Sequence, residues 1–201
     1  MQINTYNKCD FDSISLEKPV KEEDYYFSKL NFVIQTPKLN INKINSKNIT
    51  LNVNKQLDKL LNSFDKKIIE LISEHSENYF EEKFSFDEAE DIYKNSIKFK
   101  KDTNNVFTSM ISKKNNIFNK HKETMEISEL TKNDSVICLI KCTKVIFYRT
   151  YCMPIWETVQ IKYKEQILDT KSYLFKEDSS DNYKEEEIDE DLNLKLIKIN
   201  N

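Results

Sequence analysis

Over most of the chain, apolar and polar residues alternate in short stretches; in one region the apolar positions recur at three and four instead. The alternation is densest from Ser135 to Lys164, which predicts two strands joined by a turn. The first, Ser135 to Arg149, is rich in β-branched and aromatic residues. The second, Ile155 to Lys164, has period two. Ile155, Val159, Ile161 and Tyr163 fall on one face, with Glu157 the exception, and Trp156, Thr158, Gln160, Lys162 and Lys164 fall on the other. An indole set among amides and ammonium groups is an unusual choice for a face left to water. It suits stacking on bases and pairing with phosphates. The competing reading is a half-buried antiparallel strand whose Trp156 packs beneath a loop. A one-residue bulge near Thr143 would exchange the two faces.

The same patterning divides the rest of the chain. Residues 1–23 are polar, with a brief alternation from Phe11 to Leu16 that predicts an edge strand or an ordered arm. Asp24 to Gln35 is a strand candidate stopped by Thr36-Pro37, because proline cannot donate to a ladder. Leu39 and Ile41, then Ile49, Leu51 and Val53, predict two further strands around an Asn/Lys turn. From Asn54 the period changes. Leu57, Leu60, Leu61, Phe64, Ile68, Leu71 and Ile72 mark the core-facing stripe of an amphipathic helix of about five turns. A short helix from Asp87 to Tyr93 comes next, capped by Ser85 or Asp87. Short strands return at Ile97 to Lys101, Asn105 to Ser112 and Asn116 to His121, separated by Lys/Asn-rich turns.

Strands, a helical insertion, then strands again is the pattern of a mainly β, α+β protein, a small OB-like β-barrel interrupted by one long and one short helix. The expected organisation is an N-terminal arm (1–23), a barrel (24–170) with its helical insertion at 55–94, and a disordered acidic tail (171–201).

Charge sharpens this picture. The net charge of −3 conceals a split: between Lys176 and Asp191 nine acids stand against two lysines, so that segment carries −7 and the rest of the chain +4. A basic body with an acidic tail is the informative feature. Such a tail can lie in a basic groove and compete with nucleic acid, which predicts strong salt dependence. The chain has no glycine, so turns at positive φ fall to Asn and Asp. Cys9, Cys138, Cys142 and Cys152 form no CxxC pair, and His75 and His121 are isolated, so neither a zinc site nor another cofactor is expected. No signal peptide or membrane-spanning apolar run is present, which predicts a soluble protein of a reducing compartment with no membrane partner.

Enzyme signatures fail in turn. Without glycine there is no P-loop, dinucleotide fingerprint or usual nucleophile elbow, and the densest carboxylates lie in the tail. No catalytic role is expected. Nucleic-acid binding has candidates: Trp156, Gln160, Lys162 and Lys164 on one strand face, and Lys141, Lys144, Phe147, Tyr148 and Arg149 on its neighbour. Lys98, Lys100 and Lys101, with Lys94 before them, add a basic segment interleaved with Tyr93 and Phe99. Each lysine taken singly reads as a solvated surface residue; the grouping with rings is what points to nucleic acid.

Three segments carry a resemblance: Ile34-Gln35-Thr36-Pro37, the strand Trp156…Gln160-x-Lys162, and Phe175-Lys176-Glu177-Asp178. Together they resemble a family of uncharacterised proteins of nucleo-cytoplasmic large DNA viruses, thought to be related to the phage T7-type single-stranded DNA-binding proteins. The resemblance spans Tyr25 to Asp181. It implies an OB-like barrel that coats single-stranded DNA in viral replication or repair, in a viral factory of the host cytoplasm or in the host nucleus and not secreted. It also implies an acidic C-terminus that contacts replication proteins; a homodimer is left open. The alternatives are a viral structural or scaffold protein, favoured if Trp156 is buried and the lysines scatter, and an interaction protein working through its tail.

Overall fold

The computed structural model describes residues 3–99 and 105–164. Among them the strands are β1 (Ile3–Thr5), β2 (Val20–Glu22), β3 (Tyr25–Gln35), β4 (Leu39–Ile44), β5 (Asn48–Asn52), β6 (Ile97–Lys98), β7 (Val106–Phe118), β8 (Thr124–Met125), β9 (Ser135–Phe147) and β10 (Cys152–Lys164). Helices α1 (Lys55–Phe80) and α2 (Phe86–Ile92) lie between β5 and β6. β4, β5, β7, β10 and β9 are successive neighbours in the sheet, and β9 pairs back to β4, closing a five-stranded OB-like barrel. β7 and β10 run parallel; the other barrel pairs are antiparallel. β3 extends the sheet along the remaining length of β9, with β1 and β2 beyond it.

The Thr36-Pro37 break lies where β3 gives way to β4. Proline has no N–H for the ladder, and Thr36 supplies the link instead. Its N–H donates to the Cys138 carbonyl (2.9 Å) and its Oγ1 accepts from the Cys138 N–H (2.9 Å). Two strands can therefore bend around one edge of β9.

α1 begins at Asn54, whose side chain accepts from the Gln56 and Leu57 amides, as an N-cap residue does. Its stripe, Leu57, Leu60, Leu61, Phe64, Ile68 and Ile72, is buried. The helix runs 26 residues, past the last periodic leucine, because Tyr79 and Phe80 keep an apolar face against the body. α2 starts from Ser85 with a full capping box closed by Glu88.

β7 spans the predicted Ser112 to Asn116 turn, but its register with β10 jumps there, from Ile111 opposite Thr158 to Asn116 opposite Gln160, so residues 112–115 bulge out of the ladder. One sequence expectation gives way. Positive φ falls not mainly to Asn but, among the described residues, to Glu23, Glu81, Lys122 and Asn133. Glu81 ends α1 in the left-handed conformation that closes a helix.

Candidate nucleic-acid interface

The period of β9 and β10 is broken twice. Ile155 pairs with Lys144 but Trp156 pairs with Cys142, so Thr143 bulges out of β9; Thr158 pairs with Ile140 but Gln160 with Leu139, so Val159 bulges out of β10. A bulge inserts one residue and flips the phase of the strand beyond it. In β10 the inward positions are therefore Cys152, Trp156 and Thr158, then Ile161. Gln160 and Lys162 stay on the outer face.

This corrects the assignment of Trp156. It is 4% exposed, with its ring 4.7 Å from Phe64 and 5.8 Å from Phe107, and its Nε1–H donates to Ser96 Oγ (2.9 Å). An indole so enclosed cannot stack on a base. Thr158 is likewise buried, bonded to Ser109 across a 2.7 Å hydroxyl pair.

The other predicted residues divide among separate surfaces. Lys141, Lys144, Gln160 and Lys162 occupy the outer face of the sheet, and Gln160 and Lys162 line a hollow of about 150 Å³ with Gln35, Ile137 and Leu139. Lys164 stands opposite Ser135, half-buried. Lys144 is engaged. Its Nζ lies 3.3 Å from Glu22 Oε2 and 3.1 Å from Tyr25 Oη, and 5.1 and 4.9 Å from the Tyr25 and Phe27 ring centres. The Tyr25 hydrogen bond above all, with Glu22, raises its pKa, while Tyr25 and Lys144 lower that of Glu22. Lys98 is exposed on β6 beside Val106. Lys100 and Lys101 lie outside the described residues, as does the acidic tail.

Phe147, Tyr148 and Arg149 are brought together. They open the β9–β10 hairpin, whose tip is closed by the Tyr148 N–H donating to the Tyr151 carbonyl (2.8 Å). Beneath this tip, where it meets the end of α1, is a cleft of about 410 Å³. Phe80, Phe84, Ile92 and Phe147 line it, and Tyr26, Tyr148, Tyr151, Asp24, Arg149, Thr150 and Cys152 complete its lining. Phe147 is buried against Phe80, ring centres 5.4 Å apart. Tyr26 and Tyr148 are 46% and 37% exposed, which leaves ring surface free for a ligand. Tyr148 also stands 5.6 Å from Tyr25 and 4.8 Å from Tyr151, ring centre to ring centre. Lys94 Nζ sits 3.1 Å from the centre of the Tyr151 ring, a cation–π contact that holds a cation next to the cleft.

Tyr26, Phe80, Phe84 and Tyr151 are absent from the residues that the sequence singles out. The Tyr25-Tyr26 doublet and the Arg149-Thr150-Tyr151 turn are local signals for two of them; the phenylalanines come from α1 and the α1–α2 connection and have none. The four thiols are free. Burial pushes Cys9 up to about 11 and Cys138 and Cys152 to about 12, and it raises Cys142 as well. Among the described residues no group of three His, Cys, Asp or Glu could hold a metal ion, and no helix is long and apolar enough to cross a membrane.

The sequence pattern of the family of unknown function DUF5871 matches residues 37–177. No curated protein matches the chain. Among solved structures, the single-stranded DNA-binding protein of bacteriophage Enc34 with its C-terminus truncated is similar at a TM-score of 0.46 and 12% identity, covering 77% of this chain and 97% of that one. The untruncated phage protein gives 0.43 at 15% identity, covering 85% of this chain and 99% of that one. Its complex with single-stranded DNA gives 0.42 at 14% identity, covering 78% and 98%.

Proposed function

We propose that this chain, which belongs to the DUF5871 family of unknown function, binds single-stranded DNA without sequence preference through the cleft under its β9–β10 hairpin. The observation that carries the reading is that cleft: a pocket lined by phenylalanines and partly exposed tyrosines, with Arg149 in its lining and Lys94 beside it. Every base has a π-face, so a ring-lined cleft is sequence-tolerant, and stacking contributes about 1–3 kcal/mol per base. Arg149 and Lys94 are placed to meet phosphates, whereas Lys144 is already paired with Glu22.

The wider reading rests on the sequence resemblance. It comprises a non-catalytic role in DNA replication or repair of a large DNA virus, in the host cytoplasm or nucleus, with the acidic segment after residue 171 contacting replication proteins or competing for the DNA site. Two observations favour a second reading, a viral structural or interaction protein without nucleic-acid binding: Trp156 is buried, and the lysines lie on separate surfaces.

Fluorescence anisotropy of labelled oligo-dT, against a duplex of equal length, separates them. The first reading expects preference for the single strand that is weakened with Tyr148→Ala and with Arg149→Ala. Absence of binding, including after removal of residues 176–201, would leave the second. Because Trp156 is enclosed, its emission should stay unquenched in either case.

A further inference from the structure

Among the described residues, one buried carboxylate has no part in the stacking surface. Asp65, on α1, is 3% exposed. Taking an ionised carboxylate out of water is costly unless donors surround it. Its donors come from a single short segment, the connection from α2 to β6. Tyr93 Oη–H donates to Oδ1 (2.8 Å), the Ser96 amide to Oδ2 (2.8 Å), and Ser96 Oγ–H to Oδ1 (2.6 Å). Ser96 Oγ in turn accepts from Trp156 Nε1 (2.9 Å), so its one proton is committed to Asp65.

Between the two clamped residues lies Lys94. Its own N–H donates to the Cys152 carbonyl (2.8 Å), and its ammonium rests on the Tyr151 ring (3.1 Å). The carboxylate thus grips both ends of the turn that presents a cation to the cleft, without reaching the cleft itself.

We infer that Asp65 is a positioning residue for the nucleic-acid site: by holding Tyr93 and Ser96 it fixes Lys94 against Tyr151 as a phosphate contact. This rests on the cleft reading above. An asparagine would serve less well, because its amide nitrogen would face a donor where the carboxylate offers an acceptor. A hydrophobic residue would release both ends of the turn.

The test is a double-mutant cycle read as salt dependence. Each phosphate contact to a single strand contributes about 0.7 to the slope of log K against log salt. Oligo-dT affinity is measured across a salt series for the wild-type protein, Asp65→Ala, Lys94→Ala and the pair. Asp65→Ala should lower the slope by about 0.7 and match Lys94→Ala, and the pair should lose no more than either alone. Tyr93→Phe, which frees one end of the turn and leaves α1 intact, should lower the slope in the same direction and covers the case in which Asp65→Ala does not fold. An Asp65 effect that leaves the slope unchanged, or that persists undiminished without Lys94, overturns the inference while the cleft reading stands. Failure of the wild-type protein to bind oligo-dT removes the cleft reading, and this inference falls with it.

Discussion

Asp65→Asn is predicted to remove a pH dependence from the stability of the fold. Burial raises the Asp65 carboxyl to about 6 against its ordinary 3.8, overriding the stabilising hydrogen bonds from Ser96 and Tyr93. Between those two values the folded protein holds a proton that the unfolded chain has released, so stability falls as pH rises through this window. Each pH unit corresponds to 1.36 kcal/mol, so the window costs the wild-type protein about 3 kcal/mol by the time Asp65 is fully ionised. The groups facing it do not titrate nearby: Tyr93 is held well above its ordinary value by burial and by Asp65, and the Cys142 and Cys152 thiols are raised by burial. Asparagine is neutral throughout. Urea unfolding followed by the single tryptophan, which is bonded to Ser96 within the same network, gives the stability of both proteins from pH 3 to pH 8. The wild-type minus variant difference should fall by about 3 kcal/mol from acid to neutral and then level off above about pH 6. A difference constant with pH would refute the reasoning, because it would mean that Asp65 has the same proton affinity in both states.

Tyr26→Ala or Tyr148→Ala should weaken oligo-dT binding by about 1–3 kcal/mol each, whereas Trp156→Phe should leave binding unchanged and lower the unfolding midpoint, as anisotropy and urea titration would show. Lys144→Ala should change oligo-dT affinity little and stability by less than about 1 kcal/mol, because its ion pair with Glu22 is surface-exposed. With Arg149 and Lys94 as the phosphate contacts, the salt slope of binding should be about −1.4, far shallower than a basic-groove binder would give. The thiols of Cys138, Cys142 and Cys152 should react with a disulfide reagent at pH 8 only on unfolding, since a buried neutral thiol is a poor nucleophile.

Element types are largely readable because period and punctuation agree: the Leu57 to Ile72 stripe, the Ser85 cap and the Thr36-Pro37 stop each act locally. Phase is not readable. Strand faces depend on register, and the bulge at Val159 puts Trp156 on the same inward side as Ile161 while leaving Gln160 and Lys162 outside. Period two carried across such a bulge assigns half the strand to the wrong face. The Ser112 to Asn116 run of polar residues reads as a turn because strand propensity is weak there, and residues 112–115 do leave the β10 ladder, which resumes at Asn116 and Ile117. The candidate site is half-legible. Tyr148 and Arg149 are neighbours in sequence, but the cleft exists only because β3, the α1–α2 region and the hairpin converge, and no local pattern announces that convergence.

The Thr36-Pro37 junction has a consequence for how the barrel opens. β4 meets β9 at two pairs, Leu39 with Val136 and Asn40 with Ser135, continued only by the backbone bonds of Ile41 to Asn133 and Asp134 and set beside a proline that cannot add a ladder bond, whereas β10 tracks β9 along its whole length. Local opening has the lowest free energy where the fewest backbone bonds must break. Amide exchange should therefore be faster at Leu39 and Asn40 than at Val33 and Ile34, one strand upstream on the same edge. The ring of strands is closed by a short latch, and thermal motion would part it there while the β9–β10 ribbon stays intact.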